Sequence, residues 1–322
     1  MKIQELSTEY GTLQYRVIED HIMITEYRGR DIALTIPVNI EGIPITVIGK
    51  KAFLAARELK EVTLPQSVCV IQDWAFASCR NLEKLALPRK KLEIGQGILK
   101  DCEKLCRVIT ITVEKKERTE PVEDVKNETS IETDKSDESI SYLLAAAMTR
   151  LDAFYLFDAE TAGSPDWIEQ WDARMLALME QEDTEGFSKM LLCGEEDYGS
   201  RENNLDYYIE QKRRFKVRLA MLRLMNDIEL KSSVKNILIT YLKSHTKGSE
   251  SEETWKVVLE EHGDEKPYYQ LLLDTDCITE DNIDAILEDM GERHTEMKAF
   301  LMNYQSTNFR NEDMFASLEF EL

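Results

Sequence analysis

The chain has 322 residues, of which 43% are hydrophobic and 32% are charged, and its formal net charge is −22. This length allows two domains with buried cores. The acidity argues against general nucleic-acid binding, which requires neutralised phosphates, and against docking on anionic lipid, whereas basic proteins and cations remain suitable partners.

The charge is spread unevenly along the chain, which indicates separate modules. Residues 1–111 carry 16 Lys and Arg against 14 Asp and Glu, whereas residues 140–322 carry 19 against 38. The first ten residues lack the apolar core of a signal peptide, and no apolar run is long enough for a membrane helix. The six cysteines form no clustered framework, so we expect a cytoplasmic protein with reduced thiols and no membrane association.

The N-terminal segment alternates between apolar and polar residues, as paired β-strands do. Leu13, Tyr15 and Val17 share one face, and residues 22–24 resume the alternation. The pattern predicts a β-hairpin that turns near Glu19–Asp20.

A repeat with a period of 23 residues follows the hairpin. The segments "LKEVTLPQSVCVIQDWAFASCRNL" (59–82) and "LEKLALPRKKLEIGQGILKDCEKL" (82–105) align throughout, and an earlier unit opens near residue 35. Each coil is predicted to hold a short strand ended by proline and then a helical turn, and stacked coils bury ladders of equivalent residues. The predicted ladders are Ile48/Ile71/Ile94, Phe53/Phe76/Leu99 and Leu59/Leu82/Leu105.

This repeat resembles the leucine-rich repeats of the BspA-like type, as "VIGKKAF" (47–53) and "VIQDWAFASC" (70–79) show. In that family a strand ending in Ile/Leu-Pro precedes Ile-Gly-x-x-Ala-Phe and a Cys before the last Leu. The resemblance implies a solenoid over residues 1–111, capped by the N-terminal hairpin. It says little about function, because such arrays serve many partners.

The composition changes again after the solenoid. Residues 112–139 have many charges and few apolar side chains, which predicts a flexible linker, with an exposed charged helix as the alternative. From residue 140 the apolar spacing becomes helical, so residues 140–322 are predicted to form an all-α domain. Within it, Ser164 and Pro165 form an N-cap followed by proline at the first helical position.

The C-terminal end of the helical region also repeats. Segments 251–273 and 279–301 align at an offset of 28 residues, and each consists of a helix, a glycine stop and a second helix. The stretch 271–304 is similar to ankyrin-type helix pairs, although the Thr-Pro-Leu-His signature is missing. The resemblance implies ankyrin-like hairpins near residues 250–304.

The reactive residue types show no catalytic or ligand-binding spacing. Cys79 occupies a repeat position that is Ala56 one coil earlier and Cys102 one coil later, which indicates a small buried core residue. The four histidines form no metal motif, and neither a phosphate loop nor a nucleophile elbow occurs. We therefore predict no catalytic residue, no metal site and no cofactor.

Two clusters are candidates for partner binding. Trp167 and Trp171 share one helix face, where packing in the core and contact with a partner are alternative interpretations. Arg213, Arg214 and Lys216 belong to the basic run "QKRRFKVR", which either pairs with internal acids or forms a docking patch.

The predicted fold class is multidomain: a small leucine-rich repeat solenoid of strands and short helices, followed by an all-α helical-repeat domain. It favours a non-enzymatic intracellular scaffold that presents two repeat surfaces to protein partners. The alternative is an acidic inhibitor or immunity-type protein that masks a basic partner, because a net charge of −19 on residues 140–322 would speed association. A third hypothesis is an enzyme with an unrecognised site in the helical domain.

Overall fold

The computed structural model describes residues 3–112, 135–193, 204–247 and 250–309. The chain forms two compact units, Met1–Met175 (unit 1) and Leu176–Leu322 (unit 2). Among the described residues, no helix has the length and apolar character needed to cross a membrane.

Short strands make up the first part of unit 1. They are β1 Gln4–Ser7, β2 Gly11–Ile18, β3 His21–Gly29, β4 Ala33–Thr35, β5 Asn39–Ile40, β6 Ile43–Ile48, β7 Glu61–Thr63, β8 Val70–Ile71, β9 Lys84–Pro88, β10 Glu93–Ile94 and β11 Arg107–Ile111.

Helices make up the rest of the described chain. They are α1 Lys135–Thr149, a 3-10 helix Phe154–Leu156, α2 Pro165–Met179, α3 Phe187–Cys193, α4 Leu205–Met225, α5 Ser232–Ser244, α6 Glu253–Glu261, α7 Lys266–Asp274, α8 Glu280–Met290 and α9 Thr295–Asn308.

The strands of unit 1 form two sheets. One has the order β1-β2-β3-β6-β8-β10, with β5 paired to β6, and the other has the order β11-β9-β7-β4. The four strands of the second sheet are all parallel, because each solenoid coil supplies one strand in the same direction. The predicted N-terminal hairpin is confirmed: β2 and β3 pair antiparallel, and Glu19 has a positive φ of 53° at the turn.

A buried carboxylate fastens the hairpin to the chain that follows it. Asp31 is 2% exposed. Its Oδ2 accepts hydrogen bonds from Thr8 Oγ1 (2.6 Å) and Tyr27 Oη (2.8 Å), and its Oδ1 accepts one from the Tyr10 N–H (2.9 Å). Burial raises the pKa of Asp31, but these hydrogen bonds outweigh it and leave the pKa below its ordinary value.

The predicted ladders are confirmed by the strand register and by ring stacking. Ile71 lies opposite Ile48 on one side and Ile94 on the other. The Phe53 and Phe76 rings stack at 4.9 Å between centroids, and both side chains are fully buried. The solenoid core is therefore a column of equivalent residues, one from each coil.

The helical turn of each coil contains two residues in the left-handed region. The first position has φ near 60° at Lys51, Trp74 and Gly97, and the second has φ of 58° at both Ser78 and Asp101. Only Gly97 adopts this conformation without Cβ strain. The repeat thus determines the backbone shape of the turn, and different side chains are placed on the same shape.

Helix α1 packs against β11 at the end of the solenoid. Glu138 pairs with Arg107 at 3.5 Å, and the Tyr142 ring lies 5.5 Å from the Arg107 guanidinium. Residues 143–147 of α1 are all buried, as expected of a helix that is covered on every side.

The boundary between the two compact units lies after Met175, whereas the sequence predicted that the helical domain begins at residue 140. Helix α1 and most of α2 belong to unit 1 with the solenoid. Of the predicted linker 112–139, residues 113–134 lie outside the described residues, and residues 135–139 are helical. At the start of α2, Ser164 Oγ accepts the Trp167 N–H at 3.3 Å, which confirms the predicted N-cap.

Unit 2 consists of helices in its described residues. The pairs α6–α7 and α8–α9 coincide with the two aligned segments at the C-terminal end. Equivalent residues of the two pairs are buried, including Trp255 with Ile283 and Leu273 with Leu301. The resemblance to ankyrin hairpins stays a prediction.

Candidate partner-binding site

Unit 1 contains a cavity of about 770 Å³ between the turn of the third coil, residues 96–103, and the C-terminal end of α1. The solenoid side of the cavity is built on the two left-handed positions, Gly97 and Asp101. The helix side consists of Met148 and Thr149, followed by Asp152 and Phe154. Because the 23-residue repeat and α1 both contribute, the cavity forms only where α1 packs on the solenoid.

The apolar part of the cavity is formed by Leu99, Cys102 and Met148. The Cys102 thiol donates to the Phe76 carbonyl oxygen at 3.1 Å, and burial raises its pKa to about 12. A thiol with so high a pKa is protonated at neutral pH and is a poor nucleophile. Cys102, which is 4% exposed, therefore belongs to the packed core behind the cavity.

Cys79 repeats this arrangement one coil earlier. Its thiol donates to the Phe53 carbonyl oxygen at 3.0 Å, and burial raises its pKa to about 11. The equivalence with Cys102 confirms that the sequence correctly placed Cys79 in the core.

The charged residues of the cavity are mostly acidic. Asp101, Glu103 and Asp152 contribute carboxylates, and Lys100 contributes the ammonium group. Lys100 Nζ lies 5.4 Å from the centre of the Trp74 ring, a cation–π contact that directs part of its charge toward the solenoid. The cavity therefore has an excess of negative charge.

Two of the three carboxylates make only long contacts with neighbouring side chains and stay accessible. Arg80 Nε lies 3.6 Å from Glu103, and Ser78 Oγ donates to Asp101 at 3.4 Å. The side chains of the Arg80–Glu103 pair are 70% and 67% exposed, so a competing cation displaces this weak surface interaction at little cost.

The cavity lining includes one exposed aromatic side chain, Phe154, which Tyr155 follows in the chain. Phe154 is 48% exposed and Tyr155 is 61% exposed, and both belong to the 3-10 helix that follows α1. Aromatic side chains at the edge of a concave site are enriched in protein interfaces because they bury a large area with few rotatable bonds. The cavity thus combines apolar surface, negative charge and the exposed ring of Phe154.

The tryptophan pair proposed from the sequence lies in the core of unit 1. Trp167 is 3% exposed and donates its indole N–H to the Leu156 carbonyl oxygen at 2.8 Å. Trp171 is fully buried and donates to the Leu143 carbonyl oxygen at 2.9 Å. The partner-binding interpretation of these two residues is corrected, because neither ring presents surface to a partner.

The basic run of α4 pairs with acids of unit 2. Asp183 accepts from Arg213 Nε at 2.7 Å and from Lys216 Nζ at 2.8 Å, and Lys216 is only 3% exposed. Arg214 pairs with Glu253 at 3.1 Å and also with Glu260. The docking-patch interpretation of Arg213, Arg214 and Lys216 is therefore corrected in favour of internal pairing.

The electrostatics of this network are consistent with a structural role. Burial raises the pKa of Asp183, but the hydrogen bonds from Lys216 and Arg213 outweigh it and leave the pKa below its ordinary value. The carboxylate is thus held in its charged form, and the ion pairs tie α4 to the segment after α2. Within the described residues, no group of three or more His, Cys, Asp or Glu side chains has the geometry of a metal site.

A known protein family matches the solenoid region but not the whole chain. Residues 34–141 match the family described as a BspA type leucine rich repeat region. Such regions serve in general as surfaces for protein–protein interaction. No curated protein matches the sequence.

Solved structures of leucine-rich repeat proteins resemble about a third of the chain. A Treponema pallidum leucine rich repeat protein is 32% identical over 33% of this chain and 50% of its own, with a TM-score of 0.30. A leucine rich cell surface protein from Faecalibacterium prausnitzii is 21% identical over 34% of this chain and 30% of its own, with a TM-score of 0.29. A Bacteroides capillosus leucine-rich repeat protein is 20% identical over 34% of this chain and 99% of its own, with a TM-score of 0.26. This chain thus covers half or less of the first two of these proteins.

The sequence pattern does not indicate the cavity. Met148, Asp152 and Phe154 lie outside the repeat, and they reach it only because α1 packs on β11. The available signal was the adjacent pair Phe154–Tyr155 after the end of a helix, since two large aromatic side chains beside several acids are suited to a surface contact.

Proposed function

We propose that the protein is a non-enzymatic protein–protein interaction module whose unit 1 cavity receives a segment of a partner protein. The segment carries a Lys or Arg side chain beside an apolar one. The observation that carries the proposal is the cavity itself, which combines three carboxylates with apolar surface from Met148 and Phe154.

A long basic side chain matches this composition along its whole length. Its aliphatic stem packs on Met148 while its charged head reaches the carboxylates of Asp101 and Asp152, because Lys and Arg are amphipathic. The exposed ring of Phe154 is placed to cover a neighbouring apolar side chain of the same segment. Met148 adapts to different apolar partners, since its side chain is flexible and polarisable.

Selection from a library of random displayed peptides on the full-length chain tests the proposal. We expect enrichment of Lys or Arg next to an aliphatic or aromatic residue. The matched variants are Asp101→Asn and Asp152→Asn, which remove charge but keep a residue that tolerates the positive φ of 58° and 47° at these positions. Each is expected to weaken the selected peptides roughly tenfold, which is the loss of one charged contact.

The control variant is Leu54→Asn, at an exposed position outside the cavity, and it should bind the selected peptides unchanged. Equal affinity of the peptides for the wild type and for both aspartate variants would contradict the cavity as the binding site.

A second surface belongs to the proposal. The pairs α6–α7 and α8–α9 are interpreted as an ankyrin-like repeat, which is supported by their common spacing and buried equivalent residues. In this scaffold interpretation each unit binds a protein partner, and no nucleic acid or membrane contact is involved. The cytoplasmic location expected from the sequence is tested by cell fractionation.

The acidic inhibitor is a second candidate function, and one observation favours it. Internal pairing neutralises Arg213, Arg214 and Lys216, so the excess acids of unit 2 are left to face a cationic partner. In this case the association rate of the captured partner falls steeply as salt is added, because long-range attraction between charged surfaces is screened. An association rate that does not change with salt would count against this second candidate.

A further inference from the structure

The lining of the unit 1 cavity includes one ammonium group, that of Lys100, beside the three carboxylates. Within the described residues Lys100 forms no ion pair, whereas Arg80 of the preceding coil pairs with Glu103 at 3.6 Å. The Lys100 Nζ atom lies instead 5.4 Å from the centre of the Trp74 ring. The ammonium group thus contacts an aromatic ring and leaves the carboxylates of the lining uncompensated.

The Trp74 ring lies at the edge of the cavity because Gly97 leaves room for it. Trp74 and Gly97 hold the same position in successive coils, with φ of 59° and 60°. A Cβ atom at Gly97 would lie only 3.1 Å from Trp74 Cε3, so the ring packs directly over the glycine backbone. Because Gly97 lines the cavity, the indole ring is next to the cavity wall.

The backbone fixes the position of Lys100 relative to this ring. The Trp74 N–H donates to the Gln96 carbonyl oxygen at 2.9 Å, and the Ser78 N–H donates to the Lys100 carbonyl oxygen at 2.7 Å. These bonds hold the two stacked turns in register. Lys100 is exposed, so its flexible four-carbon side chain alone decides whether the ammonium group contacts the ring or a carboxylate.

The two positions of the ammonium group differ little in free energy. A cation–π contact at an exposed site favours the contacting position by about two- to fivefold, and an exposed ion pair is of similar strength. The ring is therefore strong enough to shift the population of Lys100. Once the ring is removed, the carboxylates are the attractive groups that are left to Lys100 in the lining.

We propose that Trp74 is a positioning residue that keeps the Lys100 ammonium group away from the cavity carboxylates, so that these stay available to the Lys or Arg of a partner segment. This inference rests on the proposed function and identifies what controls the charge of the same cavity. Without the ring, Lys100 pairs with the acids beside it. It then competes with the partner at a high effective concentration, because it belongs to the same chain.

A Trp74 ring that itself contacts the partner segment would produce a different pattern of affinities. Loss of the ring would then weaken binding whether or not Lys100 is present. A positioning role instead requires Lys100, because there is nothing to hold away once the ammonium group is gone. Substituting both residues together therefore separates the two roles.

A double-mutant cycle on the full-length chain tests the proposal with the peptides selected by display. We expect Trp74→Leu to weaken peptide binding about two- to fivefold and Lys100→Met to bind at least as tightly as the wild type. The double variant should bind like Lys100→Met. Trp74→Phe keeps an aromatic ring and should retain most of the affinity.

The matched control is Lys91→Met. It removes one positive charge from an exposed residue that does not line the cavity, and it should leave peptide binding unchanged. Trp74→Asn also lacks the ring and suits the positive φ of this position. It replaces Trp74→Leu in the cycle if hydrogen exchange shows that leucine loosens the coils.

Proton NMR of the lysine side chains tests the positioning without any partner. Protons above an aromatic ring are shifted upfield by its ring current, so we expect upfield-shifted Cε protons of Lys100 in the wild type. These protons should return to ordinary shifts in Trp74→Leu, and their signal should be missing in Lys100→Met, which assigns it.

Three results would overturn the proposal. They are ordinary Lys100 shifts in the wild type, unchanged peptide affinity in Trp74→Leu, and equal weakening by Trp74→Leu in the presence and absence of Lys100. The proposed function fails on a different result, which is unchanged peptide affinity in Asp101→Asn and Asp152→Asn. Upfield Lys100 shifts together with that result would keep the Trp74–Lys100 contact and overturn the basic segment as the ligand.

Discussion

In the repeat coils of unit 1 the interior is a column of apolar side chains, whereas in unit 2 the helix α4 brings charged side chains into the packed interior. Phe53 and Phe76 stack directly on each other, and each coil contributes the same kind of residue to the column. In unit 2, Lys216 and Arg223 are almost completely buried, and Lys216 is satisfied by Asp183 and by the Gln181 carbonyl oxygen.

The difference shows how specificity is distributed along the chain. A ladder position accepts any residue of suitable size and polarity. Ala56, Cys79 and Cys102 occupy one such position in successive coils. A buried ammonium group instead needs one particular acid, since a buried charge without its partner is costly. We therefore expect the stability cost of a substitution to depend on the change in side-chain size in unit 1 and on the loss of an ion pair in unit 2.

Phe76→Ala should have the largest effect on stability. The ring is fully buried and stacked on Phe53, so its removal should destabilise unit 1 by roughly 3–5 kcal/mol. Hydrogen exchange of the β7, β8 and β9 amides in increasing denaturant measures this change locally. Leu54→Ala, at an exposed position, is the control and should cost little, and equal exchange in the two variants would contradict the ladder.

Lys216→Met should have the second-largest effect and lower the unfolding free energy of unit 2 by about 2–3 kcal/mol. The substitution keeps most of the side-chain length but removes the ammonium group that binds Asp183 and Gln181. Hydrogen exchange of the α4 amides reports the change. The matched variant is Arg218→Met, whose pair with Glu261 is more exposed, and its loss should stay below about 1 kcal/mol. Similar losses in both variants would remove the distinction between buried and surface pairing.

Asp31→Asn should have a smaller and pH-dependent effect, about 1–2 kcal/mol at neutral pH. The pKa of Asp31 in the folded protein lies below its ordinary value of 3.8. The charged carboxylate therefore adds stability that is complete above that value and is lost as the pH falls through the folded pKa.

Acid titration of the unfolding free energy of unit 1 checks this prediction. We expect Asp31→Asn to lack this part of the acid-induced loss, and Glu41→Gln, at an exposed position, to retain it. An unchanged acid profile in Asp31→Asn would disprove the role of the carboxylate.

Cys79→Ala should have the smallest effect, about 1 kcal/mol. The variant loses the thiol bond to the Phe53 carbonyl oxygen, but the preceding coil already has alanine at this position. Peptides selected on the wild type should bind the variant unchanged. A large loss of peptide affinity would mean that Cys79 has a role beyond packing.

The solenoid was predictable to the level of individual contacts. The register that pairs Ile48 with Ile71 and Ile71 with Ile94 follows from a fixed period, because parallel coils of equal length place equivalent residues side by side. The N-terminal hairpin was likewise predictable from its alternation.

The helical part was predictable only as helices. The partners of the basic run are Asp183 and Glu253, about 30 to 40 residues away from it in the chain, and no local pattern connects them. Nor did the apolar spacing of α1 show that it packs on the solenoid as well as on α2.

The sequence by itself determined the stacked coils and their core, including the packing role of Cys79, because those features repeat with a period that can be read along the chain. Only the tertiary structure decided where unit 1 ends, which charges pair, and that α1 forms a cavity with the third coil. These features depend on contacts between segments that share no repeat, and neither local propensity nor spacing specifies such contacts.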